Sequence, residues 1–154
     1  MKINHREAVR AIIIEDNQIL MVHSNLGDFK FPGGGVEHHE SHAEGLIREV
    51  AEETGYLSRI GEKMGVVIER HGDDYDKEAI FQTTSHYYLC ELTGEVVAQQ
   101  LDDYEFDQEY TPKWVDLDEA IQQNETMINQ CEENVWIHRE NFVLKELKKI
   151  MVTI

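Results

Sequence analysis

The sequence predicts a layered domain of the α/β or α+β class, on three observations. β-rich runs separated by short polar turns fill its first third and its middle. Two stretches with helix-capping chemistry open apolar-periodic segments, one inserted among the strands and one after them. No repeat or low-complexity linker divides the chain, so residues 1–154 are read as one domain, with Pro32 and Pro112 beside turns rather than at a boundary. With 41% hydrophobic residues, the chain can bury a core despite a net charge of −17.

Each element has a local reason. Ala8 to Ile14 and Gln18 to His23 are β-rich runs joined by Glu15-Asp16-Asn17, where Asn accepts a left-handed backbone, which predicts an early hairpin. Phe29-Lys30-Phe31 reads as a short third strand, and Pro32-Gly33-Gly34-Gly35 as a segment without regular structure. Ser41-His42-Ala43-Glu44 is a capping-box pattern that starts a helix running from His42 to about Thr54, with Gly55 as its stop. Gly65 to His71 and Ala79 to Leu92 are strand-like, and Lys113-Trp114-Val115 is a last short strand. Asp116-Leu117-Asp118-Glu119 opens a short helix, and Asn134 to Met151 forms a longer terminal one.

The balance of 31 acidic against 14 basic residues excludes a nucleic-acid polymer as partner, because such binders need a basic surface. A small anionic ligand stays possible if something positive accompanies it. The N-terminus has no apolar run that would make a signal peptide or membrane span. Cys90 and Cys131 lack a metal-type spacing, so a cytoplasmic protein with two ordinary thiols is expected.

On a helical wheel, Ala43, Leu46, Ile47, Val50 and Ala51 share an apolar arc that faces a core. Glu49, Glu52 and Glu53 stand at i, i+3 and i+4 on a neighbouring face. A solvated face braced by ion pairs accounts for Glu44, Arg48 and Glu52, which form an i, i+4, i+8 ladder. It does not account for Glu49 and Glu53, since like charges at i, i+4 cost roughly 0.2–0.5 kcal/mol. A divalent cation reverses that sign, and carboxylate oxygens are what Mg²⁺ or Mn²⁺ selects.

The acidic helix follows a glycine triplet at fixed distance. Gly34 precedes Glu40 by six positions, Arg48-Glu49-Val50 follows, then Glu52-Glu53, then Gly55-Tyr56. This 23-residue spacing resembles the Nudix box, with all seven fixed residues matched. A chance match somewhere in a chain of this length is on the order of 10⁻⁵ at ~10% frequency per residue type. Tyr56 departs mildly from the usual aliphatic residue. Phe31-Pro32-Gly33-Gly34-Gly35, Trp114-Val115 and Asp118-Glu119 also look like the family.

The resemblance implies an α/β/α sandwich around a mixed β-sheet, hydrolysing a nucleoside diphosphate linked to another group with water and Mg²⁺, or alternatively Mn²⁺. Carried onto matching positions, it implies Glu49, Glu52 and Glu53 as metal ligands, one of them helping to activate water. Arg48 and Glu40 would orient the carboxylates, while Gly34 and Gly35 would shape the loop and offer backbone contacts. Many members place an acidic catalytic residue in the loop before the last strand. Here Asp102, Asp103, Glu105, Asp107 and Glu109 occupy that loop, and Glu109, five residues before Trp114, is the expected base.

Residues outside the box must read the substrate. Arg10, on a strand, and Arg70, near a strand end, are candidates for phosphate contact; both are also explicable as surface cations. Phe29, Phe31, Tyr75 and Tyr87 could stack on a base, although strand aromatics more often serve a core. The proline that typifies many ADP-ribose hydrolases of the family is absent from the region reading Arg70-His71-Gly72-Asp73. By subtraction the chain resembles members that release a nucleoside monophosphate and pyrophosphate from a nucleoside triphosphate. The alternatives are a hydrolase of ADP-ribose or another nucleotide-sugar or dinucleotide, and a nucleotide-sensing module without catalysis. A homodimer is a further expectation from the family. His38, His39 and His42 flank Glu40, yet His39-Glu40-Ser41-His42 is one residue too short for the H-E-x-x-H zinc-protease pattern, so catalytic zinc is not expected there.

Overall fold

The computed structural model describes residues 2–130 and 135–152. Cys131, and Asn134 at the expected start of the terminal helix, lie outside the described residues. The chain runs β1 (Lys2–Ile12), β2 (Ile14–Glu15), β3 (Gln18–His23), β4 (Phe29–Lys30), β5 (Gly33–Gly35), α1 (His42–Thr54), β6 (Tyr56–Gly72), β7 (Ala79–Val96), α2 (Asp103–Asp107), β8 (Thr111–Val115), α3 (Leu117–Gln130) and α4 (Val135–Val152).

Two sheets form the middle layer. One has the order β5-β1-β7-β6, and it is mixed: β1 runs parallel to β7, from Lys2 opposite Ala79 to Ile12 opposite Leu89, while the outer pairs are antiparallel. In the other, β3 pairs with β2, β4 and β8, all antiparallel. The expected early hairpin is the β2–β3 pair, turned by Asp16 and Asn17, both at positive φ (51° and 64°). Two left-handed residues give the turn the twist that the flanking strands require.

Alternation along the strands builds two cores. Val9, Ala11 and Ile13 from β1 and its continuation, with Leu20 from β3, pack against Leu46 and Val50 of α1. On the opposite face Ile12, Ile19 and Met21 pack with Tyr87, Ala120, Val143 and Leu144, the last three from α3 and α4. Helices therefore cover both faces, which is the α/β/α sandwich the sequence implied. Leu46 and Val50 are fully buried, each stabilising the attachment of α1 by roughly 1.5–3 kcal/mol.

α1 has the predicted bounds. Ser41 Oγ accepts from Glu44 N while Glu44 reaches back to the Ser41 amide, and Gly55 ends the helix at φ 77°. A Cβ there would meet Val97 O at 2.7 Å, so close approach as well as handedness requires glycine.

Three expectations are corrected. Gly33–Gly35 is not irregular but a strand, with Ala8, Val9 and Arg10 opposite Gly35, Gly34 and Gly33; pairing with β1 overrides glycine's low strand propensity. The segment before the last strand, read as a loop, carries α2, with its own capping box between Asp102 and Glu105. The helix after Asp116 is not short: α3 has 14 residues. No described helix is long and apolar enough to cross a membrane.

Candidate metal and phosphate site

α1 lies beside β5, and this contact builds the site. Glu49 sits so close to β5 that a Cβ on Gly34 would fall 2.7–2.9 Å from its carboxylate. One turn on, Glu53 faces the core side of the helix, is only 4% exposed, and accepts a hydrogen bond from Gly33 N at 2.7 Å. Glu105, delivered by α2, completes the group, the three carboxylates offering oxygens within 4.8 Å of one another.

The electrostatics are unfavourable without a cation. Burial, followed by a hydrogen bond shared with Glu105, pushes the Glu53 carboxyl well above the usual range, against the Gly33 amide that favours its charge. Burial also raises Glu49, to about 7, against the attraction of Arg48, with repulsion from Glu52 and Glu105 as smaller contributions. An all-oxygen set of crowded carboxylates, with Glu49 and Glu53 made reluctant to ionise by burial, fits a hard divalent cation such as Mg²⁺ or Mn²⁺.

Arg48 organises this face. Its Nε and Nη2 donate to the two carboxylate oxygens of Glu40 at 2.6 and 2.9 Å. Nη1 donates to Glu49 at 3.1 Å and Glu52 at 3.3 Å, and Nη2 also donates to Gly35 O at 3.3 Å. The bidentate pair with Arg48, helped by the Glu37 amide, holds the Glu40 carboxyl down at about 2. One guanidinium thus ties helix, loop and strand together.

The carboxylates share their cavity with a set of cations. Arg6, Arg10, Lys30 and Arg139 line the same cavity, of about 320 Å³. Arg10 is buried, with Nε donating to Ser85 Oγ at 3.2 Å. Arg139 reaches in from α4, held by Glu69 at 2.8 Å and Glu140 at 2.9 Å. Arg6 makes no ion pair among the described residues and lies beside Gly35, where a Cβ would be 3.5 Å from its Nε. Burial, then repulsion from Arg10 and Arg139, lowers the Arg6 pKa against the weaker attraction of Glu49 and Glu69. Trp136, Tyr104 and Tyr110 form an aromatic rim around Lys30, whose Nζ donates to Tyr110 Oη at 2.6 Å.

Of the residues singled out in the sequence, Glu49, Glu53, Gly34, Gly35 and Arg10 converge on this cavity, with Arg48, Glu40 and the Gly55 cap supporting it from α1. Glu52 is paired with Arg48 and stands outside the carboxylate cluster. The structure does not bring Glu109 or Arg70 to the cavity. Glu109 lines a separate pocket with Leu101 and Phe106, and Arg70 is exposed on β6, donating to Gln82 at 2.7 Å. Phe29, Phe31 and Tyr87 are core residues, Phe31 also touching the cavity, and Tyr75 is fully exposed. Arg6 was not anticipated, although strand alternation two and four residues before Arg10 puts positions 8 and 6 on its face. Lys30, Arg139 and Trp136 had no comparable local signal.

Fold and box together define the class. A family model described as NUDIX domain matches residues 4–135, and the chain belongs to that family. It is similar to an ADP-ribose pyrophosphatase of Methanocaldococcus jannaschii, 40% identical over 63 residues, which is 38% of this chain and 37% of that protein. A putative 8-oxo-dGTP diphosphatase of Bacillus subtilis is 33% identical over 84 residues, 54% of this chain and 50% of that protein. The chain thus spans half the length or less of the curated relatives it matches. Among solved structures, a NUDIX hydrolase from Nitrosomonas europaea superposes with a TM-score of 0.62 at 20% identity, covering 79% of each chain. An ADP-ribose pyrophosphatase from Streptococcus suis superposes with a TM-score of 0.55 at 21% identity, covering 73% of this chain and 75% of that one. At these identities the likeness concerns the fold.

Proposed function

We propose that the protein hydrolyses a nucleoside diphosphate linked to another group, with a nucleoside triphosphate as first choice, releasing a nucleoside monophosphate and pyrophosphate. The observation that carries this reading is one cavity lined both by the Glu49, Glu53 and Glu105 carboxylates and by Arg6, Arg10, Lys30 and Arg139. A polyphosphate touching both sets would meet a carboxylate-bound metal ion as well as these side-chain cations, and a protein of −17 net charge would accept an anion there.

Glu49 and Glu53 would hold Mg²⁺ or Mn²⁺, with Glu52 able to join from the same helix face. Bound there, the ion neutralises phosphate charge and polarises phosphorus–oxygen bonds. Arg48 and Glu40 fix the carboxylate geometry, and Gly34 leaves room for Glu49. Arg6, Arg10 and Arg139 would bind the phosphate oxygens and stabilise charge developing on them. Glu105, whose carboxylate lies beside those of Glu49 and Glu53, would act as the base in place of Glu109. The aromatic rim of Tyr104 and Trp136 offers a stacking surface for the base.

A second reading, hydrolysis of ADP-ribose, is supported by the name of the relative that is 40% identical over 63 residues. A panel of nucleoside triphosphates, oxidised triphosphates, ADP-ribose and dinucleoside polyphosphates, assayed with Mg²⁺ or Mn²⁺ and product identification, separates the two. Monophosphate plus pyrophosphate from triphosphates supports the first. Turnover confined to ADP-ribose selects the second, and tight binding without product would leave a sensing module.

A further inference from the structure

A second cluster of ligating side chains lies away from the carboxylate site, at the other end of α1. His42 opens that helix, His86 comes from β7 and Glu7 from β1, and each offers a ligand atom within 4.8 Å of the others. The two imidazole centroids are 4.5 Å apart, and His86 Nε2 is 2.5 Å from Glu7 Oε2. We propose that His42, His86 and Glu7 form a binding site for a borderline transition-metal ion of the Zn²⁺ class, clipping the N-terminus of α1 to the sheet. The inference stands apart from the proposed hydrolase activity.

The donor set distinguishes this site from the other one. Two imidazoles and a carboxylate suit zinc, whereas Mg²⁺ prefers oxygen alone. The supporting geometry also matches: His42 Nδ1 is 2.7 Å from Tyr88 Oη. A proton on Nδ1 donated to that oxygen leaves the Nε2 lone pair of His42 free, which is how a ligating histidine is oriented by the groups around it.

His86 is incompletely satisfied. Its Nε2 contacts Glu7, while its Nδ1 is buried with no hydrogen-bond partner among the described residues. The rearrangement required is small. Tetrahedral zinc with bonds of about 2.0 Å separates its ligand atoms by roughly 3.3 Å. The present spacing of 2.5 Å between His86 and Glu7 must therefore open by under about 1 Å, and Glu7, half exposed, can swing to do so. The same exposure leaves a fourth position to water. The sequence pointed to His42 only through its neighbours His38 and His39, which are exposed and outside the cluster; the actual partners come from strands far away in the chain.

The test is zinc titration of the full chain against a chromophoric chelator, with Mg²⁺ in excess to occupy the carboxylate site, alongside thermal melts. The wild type is expected to take up one equivalent and to melt at a higher temperature with zinc. His42→Ala, His86→Ala and Glu7→Gln should each weaken zinc at least about tenfold and abolish the melting shift, while Glu53→Gln and His39→Ala leave both intact. Tyr88→Phe should weaken zinc about tenfold while preserving the fold. If His86→Ala does not fold, His42→Ala and Glu7→Gln carry the test, since both sites are solvent-accessible. No stoichiometric uptake by the wild type, undiminished affinity in the histidine variants, or loss in Glu53→Gln would each overturn the proposal.

Discussion

Gly34→Ala isolates the geometry on which the proposed chemistry depends. Gly34 lies in β5 opposite Val9 and is not among the glycines with a left-handed φ, so alanine fits its backbone. The added methyl is the whole perturbation. It would meet Glu49 Cδ at 2.7 Å and the two carboxylate oxygens at 2.8 and 2.9 Å, where ordinary contact begins at 3.4 Å. The carboxylate must retreat by about 0.7 Å, from 2.7 to 3.4 Å, and turn away from its place beside Glu53 and Glu105. Because the yielding atoms are the tip of a flexible side chain, the stability cost should be only about 1 kcal/mol, a melting shift of about 2–4 °C. Misplacing a catalytic group by about 1 Å costs on the order of 100-fold, so kcat should fall about 10- to 100-fold. Mg²⁺ should be needed at higher concentration for half-maximal rate. Initial rates at varied Mg²⁺, together with a melt, measure both effects, and Gly35→Ala serves as control because its methyl would make ordinary contact at 3.5 Å. Wild-type kcat and Mg²⁺ dependence in Gly34→Ala would refute the reasoning, as would a loss of rate matched by loss of fold.

Other perturbations test separate parts. Glu105→Gln should lower kcat about 100-fold or more while Glu109→Gln leaves it near wild type; the reverse order in side-by-side kinetics would restore Glu109. Arg48→Lys keeps the charge but loses the fork that spans both Glu40 oxygens, Glu49 and Gly35, so it should destabilise the protein by about 1–3 kcal/mol and reduce kcat, as denaturant melts and kinetics will show. In metal-free protein the raised Glu49 pKa has a definite sign. The folded state holds that proton more tightly, so the group's contribution is favourable at low pH and is lost as pH rises from about 4.5 through about 7. The shift from 4.5 to about 7 corresponds to about 3 kcal/mol, which denaturant midpoints of wild type relative to Glu49→Gln should reveal in chelator and which Mg²⁺ should suppress.

The part of the site that rests on local spacing was legible. A helix repeat dictates that Glu49 and Glu53 share a face, and the Ser41–Glu44 box and Gly55 cap fix where that helix starts and stops. The apolar arc of α1 was legible in the same way, and Leu46 and Val50 from it are buried in a core. What escaped depends on tertiary placement. Glu105 rather than Glu109 reaches the cluster because α2 caps itself on Asp102, turning Glu105 inward and leaving Glu109 beyond the helix at φ 54°. Gly33–Gly35 reads as a loop by composition, yet the missing side chain at Gly34 is what lets a strand run against Glu49. Arg139 and Trp136 enter the cavity only through the packing of α4, and His42 finds His86 and Glu7 only through the sheet. The set of cations was anticipated in one residue, Arg10; Arg70, the other candidate, faces elsewhere.

The central claim is that the Glu49–Glu53–Glu105 group and the cations lining the same cavity act together on a metal-bound polyphosphate. The most direct test is turnover of a nucleoside triphosphate by wild type, Glu53→Gln and Arg6→Ala, with and without Mg²⁺, quantifying monophosphate and pyrophosphate. The account predicts Mg²⁺-dependent release of both products in equal amounts by wild type. It predicts a kcat loss of about 100-fold or more in Glu53→Gln, and a raised KM in Arg6→Ala. Metal-independent turnover, or wild-type rates in a folded Glu53→Gln, would contradict it.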